Sequence, residues 1–264
     1  IAAFKHLVAD AARRGYAAAR QGVGDASPMP AHGVIVDGRF GAALLPRLTG
    51  QGGWIARPVE VPGSRPLAFE AGDALWAELR SWPAEHVVKC LLSHDPDDDA
   101  ALAARQLDAL ATLARACHVT GHELLVEVVP PTEARSDAHT LARALAQVYE
   151  AGVFPDWWKL PPPDGAPAWR EIAAVIGSHD PHCRGVLLLG LGAAEAELAE
   201  SFRVAATQPI CMGFAIGRSI FADAAAGWFA DALDDAGVIE QVASRYQRLI
   251  ERWCEARAGA KQPL

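Results

Sequence analysis

Short apolar runs alternate along the chain with stretches in which apolar residues recur at a helical spacing. Seven runs are short and almost wholly apolar, which is the pattern of strands that are buried on both faces of a parallel sheet. They span residues 33–37, 55–61, 87–92, 123–129, 156–160, 185–191 and 210–216. Helices are predicted near residues 2–20, 71–81, 98–118, 135–151, 167–178, 194–206, 219–232 and 237–257.

The alternation of strands and helices predicts an α/β fold. A doubly wound sheet and a closed barrel both fit it. Polar residues collect where the apolar runs end, and this favours the (β/α)8 TIM barrel, because one rim of such a barrel carries the chemistry. These residues are Asp37, Lys89, His94, Glu127, Lys159 and Arg218. No composition shift or linker divides residues 1–264, so we expect a single barrel domain.

The number of predicted strands is one short of the eight that a β/α barrel needs. The first clear strand, at residues 33–37, follows a predicted helix at residues 2–20. We therefore expect the first barrel strand to lie before Ile1, and residues 1–20 to form the helix that follows it.

Composition and charge narrow the classes of partner. The chain has 264 residues, of which 51% are hydrophobic and 21% are charged. No apolar stretch approaches the roughly 18 residues that suggest a membrane span. The formal net charge of −8 disfavours nucleic acid and anionic membranes as partners. The five cysteines form no C-x-x-C pair, and Cys90 and Cys211 lie inside apolar runs, so we expect a reducing, cytoplasmic location.

Lys159 is the strongest candidate for a catalytic residue. It lies in the aromatic strand Trp157-Trp158-Lys159-Leu160, and the three prolines that follow, which lack amide N–H groups, end that strand. Burial and nearby cations lower the pKa of a lysine and so supply the neutral amine that attacks a carbonyl. A lysine that reaches solvent or pairs with a carboxylate is the alternative.

Two more charged residues interrupt apolar runs. Glu127 lies within residues 123–129, and Lys89 lies within residues 87–92. A buried acid is costly unless it is paired or functional, and an acid here would be suited to moving protons around a carbinolamine. A structural ion pair between Glu127 and Lys89 is the alternative, and these two residues could form one coupled cluster with Lys159.

Glycine turns follow the last two predicted strands, at residues 190–192 and 213–218. Exposed backbone amides, a helix start and an arginine favour an anion, and barrel phosphate sites often use the turns after strands seven and eight. The predicted phosphate-binding residues are Gly190, Gly192, Gly217 and Arg218. A dinucleotide fingerprint at the first turn is a weaker reading, because Glu195 stands where the third glycine belongs.

Two histidine–aspartate stretches look like metal sites. Residues 94–99 read His-Asp-Pro-Asp-Asp-Asp, and residues 179–183 read His-Asp-Pro-His-Cys. Neither has the strict ligand spacing of a metal centre. We expect Asp97 or Asp98 to cap the helix after the first stretch, and the second stretch to form a turn before a strand. The sequence therefore predicts no catalytic metal ion.

Several long stretches resemble a known family, over nearly the whole chain from about Phe4 to Arg257. The stretches are VDGRFG at 36–41, RPVEVPGSRPL at 57–67, HVVKCL at 86–91, PDWWKL at 155–160, CRGVLLLGL at 183–191 and GFAIGR at 213–218. They are similar to the aldolase-like domain fused behind bacterial 5-dehydro-2-deoxygluconokinase, in myo-inositol breakdown. They are more distantly similar to class I tagatose-1,6-bisphosphate aldolase.

The resemblance implies a class I aldolase that uses neither a metal ion nor an organic cofactor. Lys159 falls on the Schiff-base lysine of the tagatose enzyme, and Arg218 falls on its phosphate arginine. The implied catalytic residues are Lys159, Glu127 and Lys89. The implied substrate contacts are Asp37, Arg39, Gly190, Gly192, Gly217 and Arg218.

The implied reaction cleaves 2-deoxy-5-keto-gluconate 6-phosphate to dihydroxyacetone phosphate and malonate semialdehyde. The implied partners are this phosphorylated keto sugar and a fused or neighbouring sugar kinase, and we expect a homo-oligomer. The family has polar residues where this chain has Gly38, Gly192 and Met212. Two alternatives therefore stay open: a class I aldolase for another phosphorylated or sulfonated ketose, and a catalytically silent barrel that serves as an assembly or regulatory module.

Overall fold

The computed structural model of the protein describes residues 1–23, 32–131 and 139–260. Within these ranges seven strands form one parallel sheet, in which each strand lies beside the next strand of the chain. The strands are β1 Gly33–Ile35, β2 Trp54–Pro58, β3 His86–Leu92, β4 Leu124–Val128, β5 Trp157–Leu160, β6 Gly185–Leu189 and β7 Cys211–Ala215. This is the sheet order of a β/α barrel with one strand fewer, so the predicted fold class is confirmed.

Helices lie between the strands and at both ends of the described chain. They are α1 Ala2–Val23, α2 Leu45–Leu48, α3 Leu75–Arg80, α4 Ala100–Thr120, α5 Thr140–Glu150, α6 Gly165–His179, α7 Glu195–Ala205, α8 Arg218–Phe229 and α9 Asp235–Ala260. The short helix α2 was not predicted, and residues 135–138 of the helix predicted at 135–151 lie outside the described ranges. No helix in those ranges is both long enough and apolar enough to cross a bilayer.

Helix α4 begins at a different aspartate from those predicted. The carboxylate of Asp99 accepts hydrogen bonds from the amides two and three residues later, at 3.0 and 3.3 Å, so Asp99 is the N-cap. The prediction of Asp97 or Asp98 as the cap is wrong, because arginines engage both carboxylates. Asp97 pairs with Arg143, and Asp98 pairs with Arg65.

Five of the seven strands end earlier than predicted, and β2 and β6 show the physical reasons most clearly. Strand β2 ends at Pro58, which has no N–H group to donate to a ladder, and Glu60 forms an isolated antiparallel bridge with Phe69 beyond it. Strand β6 ends before Leu191 and Gly192, whose φ angles of 48° and 81° are left-handed. Glycine adopts such angles at little cost, whereas leucine does so with strain. Both loops follow the carboxyl end of a strand.

The chain divides into two compact units. Unit 1 comprises Ile1–Val34, Gly38–Gly53 and Leu188–Leu264, and unit 2 comprises Ile35–Asp37 and Trp54–Leu187. A core cluster in unit 2 is built from apolar residues of neighbouring strands. Its members are Ala56, Val87 and Leu125, and the residues packed against them are Trp54, Trp157 and Leu187.

Helices α1 and α9 pack against each other in unit 1. Their backbones approach closely at Gly15, where an added Cβ atom would lie 2.5 Å from the carbonyl oxygen of Ala243. Protein interiors are close-packed, so a backbone atom at that distance leaves no room for a side chain. The glycine is therefore required by helix packing.

We expect Gly15→Ala to lower the free energy of unfolding by about 1–3 kcal/mol, because the added methyl group forces the two helices apart. Gly259→Ala is the matched control, since it lies in the same helix pair and its added Cβ atom meets nothing within 4 Å. Urea unfolding of both variants measures the difference. Equal effects of the two substitutions would contradict the packing argument.

Candidate active site

Neighbouring strands of unit 2 carry charged residues beside its apolar core cluster. Side chains two residues apart point to the same face of a strand. Lys89 on β3, Glu127 on β4 and Lys159 on β5 therefore lie one pleat beyond the apolar residues of those strands, and Glu127 is in register with Lys159. The fold brings together the three residues that sequence analysis considered as one cluster.

Glu127 lies between the two lysines. Its Oε1 atom is 2.9 Å from Nζ of Lys159, and its Oε2 atom is 2.9 Å from Nζ of Lys89. Relative exposures of 9% for Lys159, 7% for Glu127 and 5% for Lys89 show that the group is nearly closed to solvent. Because charges are so costly to bury unpaired, this carboxylate is what allows both lysines to lie inside unit 2.

Glu60 completes the cluster, and sequence analysis missed it. Its Oε1 atom lies 2.5 Å from Nζ of Lys89, and the residue is 9% exposed. The signal was an acid between Val59 and Val61, the same kind of interruption that identified Glu127. Its partner is 29 residues away in the chain, and the sequence alone does not reveal that pairing.

The two lysines differ in the direction of their pKa shifts. Burial lowers the pKa of Lys159, and the charge of Lys89 lowers it further, so that the pKa stays below its ordinary value although Glu127 and Glu60 oppose the shift. Burial also acts to lower the pKa of Lys89, but Glu127 and Glu60 outweigh it and raise that pKa. Lys159 is therefore the lysine that loses its proton more readily.

The pKa of Glu127 is also displaced. Burial acts to raise it, but Lys89 and Lys159 outweigh burial, so the pKa of Glu127 lies below its ordinary value. The cluster thus combines a readily deprotonated amine, a fixed ammonium group and an ionised carboxylate. A neutral amine adds to a carbonyl, a carboxylate moves protons, and a fixed cation stabilises negative charge that develops on oxygen.

A cavity of about 260 Å³ in unit 1 contains part of the predicted anion site. Gly192, Arg218 and Ser219 are among the residues that line it. Ser219 Oγ is buried and has no hydrogen-bond partner among the described residues. The other two predicted glycines, Gly190 and Gly217, are not among the lining residues. Gly190 packs against Ile216, whose Cγ2 atom would lie 3.0 Å from an added Cβ atom. Gly217 is the N-cap of α8.

Acidic residues also line this cavity, but arginines engage them. Asp223 lies 2.6 Å from Arg245, and Glu195 pairs with Arg248 at 3.3 Å and Arg252 at 3.2 Å. Arg218 is exposed, and in the described part of the chain no carboxylate pairs with it. Arg218 is therefore the lining cation that is available to an external anion.

The remaining predicted substrate contacts follow β1. Asp37 is partly buried in unit 2, and Arg39 is exposed in unit 1, where its guanidinium group lies 5.0 Å from the centroid of the Phe40 ring. Substrate contact at both residues stays a prediction.

The first histidine–aspartate stretch is engaged internally. His94 Nε2 lies 2.7 Å from the side-chain oxygen of Gln147, and Asp97 and Asp98 form the arginine pairs described above. Within the described ranges, no three histidine, cysteine, aspartate or glutamate side chains are grouped so that they could hold a metal ion. These residues instead stabilise the loop after β3.

Glu127→Gln removes the carboxylate that both buried lysines share. We expect it to lower the free energy of unfolding at pH 7 by about 3–5 kcal/mol, because buried Lys159 loses its paired carboxylate and Lys89 keeps only Glu60. The folded pKa of Glu127 is depressed, so its contribution is fully present above the unfolded value of roughly 4.3 and is lost as the pH falls through the folded pKa.

Urea unfolding of the wild type and the variant across this pH range measures that contribution. Glu123→Gln is the control. The carboxylate of Glu123 accepts a hydrogen bond from Nε1 of Trp157 at 2.8 Å and forms a salt bridge with Arg184 at 2.8 Å, and it does not pair with the lysines. A stability difference for Glu127→Gln that does not change with pH would contradict the assignment of the charge.

Comparisons with solved structures agree with the fold, whereas no curated protein matches this chain. A fructose-bisphosphate aldolase from Plasmodium falciparum has a TM-score of 0.62 and 15% identity, over 88% of this chain and 78% of that one. A fructose-bisphosphate aldolase from Slackia heliotrinireducens has a TM-score of 0.54 and 13% identity, over 88% and 74%.

A protein from Corynebacterium glutamicum has a TM-score of 0.55 and 16% identity, over 82% of this chain and 71% of its own. At such identities the likeness establishes the fold and leaves the reaction open. A family model matches residues 1–257, nearly the whole chain, and the protein therefore belongs to the family DUF2090, described as an uncharacterized protein conserved in bacteria.

Proposed function

We propose that this protein is a class I aldolase in which Lys159 forms a Schiff base with a phosphorylated keto sugar. The proposed substrate is 2-deoxy-5-keto-gluconate 6-phosphate, and the proposed products are dihydroxyacetone phosphate and malonate semialdehyde. The observation that carries the proposal is the geometry of two buried lysines that share the carboxylate of Glu127, of which only Lys89 has a second carboxylate, from Glu60, beside it. It favours Lys159 as the nucleophile and Lys89 as the fixed cation.

The fold supports the same class of reaction. Two of the similar solved structures are named fructose-bisphosphate aldolases. Barrel enzymes carry their catalytic residues toward the carboxyl ends of the strands, and Glu127 and Lys159 are the penultimate residues of β4 and β5. The choice of substrate rests on the sequence resemblance.

The proposed reaction begins when Nζ of neutral Lys159 attacks the keto carbon. Glu127, whose Oε1 atom lies 2.9 Å from that nitrogen, carries a proton to the carbinolamine hydroxyl, which leaves as water. A base then removes the proton of the hydroxyl two carbons from the iminium carbon. The bond between the hydroxyl-bearing carbon and the carbon next to the iminium carbon then breaks. Its electron pair moves toward the iminium nitrogen to form an enamine, and malonate semialdehyde leaves. Protonation of the enamine and hydrolysis release dihydroxyacetone phosphate and restore the amine.

Binding of the substrate's phosphate is proposed for Arg218 and the glycine turns of unit 1. The cavity that contains Arg218, Gly192 and the unsatisfied Ser219 hydroxyl supports this role, because each can donate a hydrogen bond to an anion. The left-handed φ angle of Leu191 is strained, and such strain is often found at ligand sites.

Borohydride added during incubation with the proposed substrate should leave a reduced adduct on Lys159, located by mass spectrometry of peptides. Lys159→Ala should abolish both the adduct and turnover. Lys159→Arg should be equally inactive, because a guanidinium group stays protonated and cannot attack a carbonyl. Lys5→Arg, on helix α1, is the matched control, and in this variant the reduced adduct should still form on Lys159.

The outcome separates the proposed function from its alternatives. An adduct on Lys89 would exchange the roles of the two lysines. An adduct formed only with other ketose phosphates would change the substrate and keep the reaction class. The absence of an adduct with every ketose phosphate tested would overturn the proposal and favour the silent barrel.

We expect Arg218→Gln to raise KM for the phosphorylated substrate by roughly 10–1000-fold, since a charged hydrogen-bonded pair contributes a few kcal/mol. KM for the unphosphorylated analogue should change little. Arg203→Gln removes an exposed arginine that pairs with Glu200 at 2.6 Å and serves as the control. Equal changes for the two substrates would exclude Arg218 from phosphate binding.

A further inference from the structure

Glu60 is fixed beside the strand that carries Lys89. The N–H group of Val59 donates to the carbonyl oxygen of Lys89 at 3.1 Å, and the carbonyl oxygen of Val59 accepts from the N–H group of Glu70 at 2.9 Å. The bridge between Glu60 and Phe69 anchors the next residue. The carboxylate is therefore held against Lys89 by an ordered backbone.

The second oxygen of this carboxylate is not satisfied. Glu60 Oε2 is buried and has no hydrogen-bond partner among the residues that the structure describes. A buried carboxylate oxygen without a donor is costly, and apolar residues often stabilise a core better than buried ion pairs do. Lys89 already has a counter-charge in Glu127. Fold stability alone therefore does not account for a second carboxylate at Lys89.

The net charge of the cluster in each protonation state indicates a role for Glu60. With both lysines protonated, the cluster contains two cations and two carboxylates and is neutral. Deprotonation of Lys159 leaves a net charge of −1, and a cationic iminium on Lys159 restores neutrality. Without Glu60, the iminium and Lys89 would share the single carboxylate of Glu127, and one buried cation would be uncompensated.

We infer that Glu60 is a positioning residue that acts through Lys89: it neutralises this lysine, so that Glu127 is available to the cationic intermediate on Lys159. The inference rests on the proposed function, because the intermediate is the Schiff base assigned there. It requires that loss of the Glu60 charge makes the amine of Lys159 easier to deprotonate and makes its iminium less stable. A residue that only supported the fold would not produce these two effects together.

The charges that act on Lys159 come from three neighbouring segments. Burial lowers the pKa of Lys159, Glu127 raises it, Lys89 lowers it and Glu60 raises it. Cys90, beside Lys89, stays uncharged, because burial and the nearby carboxylates raise the pKa of its thiol. Removal of the Glu60 charge therefore lowers the pKa of Lys159 further.

The first test uses the full chain without substrate. Acetylation of Lys159 by acetic anhydride is followed across pH by mass spectrometry, in the wild type and in Glu60→Gln. The midpoint of reactivity should move to lower pH in the variant. Glu123→Gln is the matched control and should leave the midpoint unchanged. If Glu60 only supports the fold, its loss admits water and the midpoint stays or rises, and this result would overturn the inference.

The second test measures the intermediate. Dihydroxyacetone phosphate is first equilibrated with the protein at a pH above the acetylation midpoints of both proteins, where the amine of Lys159 is neutral. A brief excess of borohydride then measures the fraction of Lys159 that is present as the iminium. We expect this fraction to fall severalfold in Glu60→Gln, since the iminium and Lys89 then share the single carboxylate of Glu127 and one buried cation is uncompensated. Glu60→Asp keeps the charge and should recover most of the fraction. An unchanged or larger fraction in Glu60→Gln would overturn the inference.

The two tests separate failure of this inference from failure of the proposed function. If the wild type gives no adduct, the Schiff-base proposal is wrong, and the acetylation midpoint alone decides whether Glu60 controls Lys159. If the wild type gives an adduct and neither readout responds to Glu60→Gln, the Schiff base stands and the role of Glu60 does not. Thermal unfolding of each variant confirms that the folded protein is being compared.

Discussion

Two ammonium groups are buried within reach of one carboxylate, and this arrangement constrains the sheet of unit 2. Lys89 and Lys159 lie inside the protein because Glu127 stands between them, on the strand between theirs. A slip of one residue in any of the three strands would turn its charged side chain to the opposite face. The three charges can therefore pair only when these three strands keep this register.

The same arrangement makes two identical side chains chemically different. Lys89 has carboxylates on two sides, whereas Lys159 has one. Burial affects both lysines in the same direction, so the difference between their pKa values arises from the charges beside them: Lys89 has two adjacent carboxylates, whereas Lys159 has one and also has the cation of Lys89 nearby. The assignment of nucleophile and fixed cation therefore depends on a glutamate outside the strands as much as on the lysines.

The strands and three residues of the cluster could be predicted from the sequence, because a charge within an apolar run is a local signal. The Glu60–Lys89 pair could not, because it depends on a loop that returns beside β3 after β2 ends at Pro58. The cap of α4 was misplaced for a similar reason: arginines distant in sequence engage Asp97 and Asp98 and leave Asp99 to cap the helix.

Arg218 and the lysine cluster differ in exposure, so their electrostatic interactions respond differently to ionic strength. Mobile ions screen exposed charges over about 8 Å at physiological salt, but they screen buried pairs much less. Arg218 is exposed, whereas Lys89, Glu127 and Lys159 are buried. The attraction of anions to Arg218 therefore weakens as the salt concentration rises, while the protonation of Lys159 changes little.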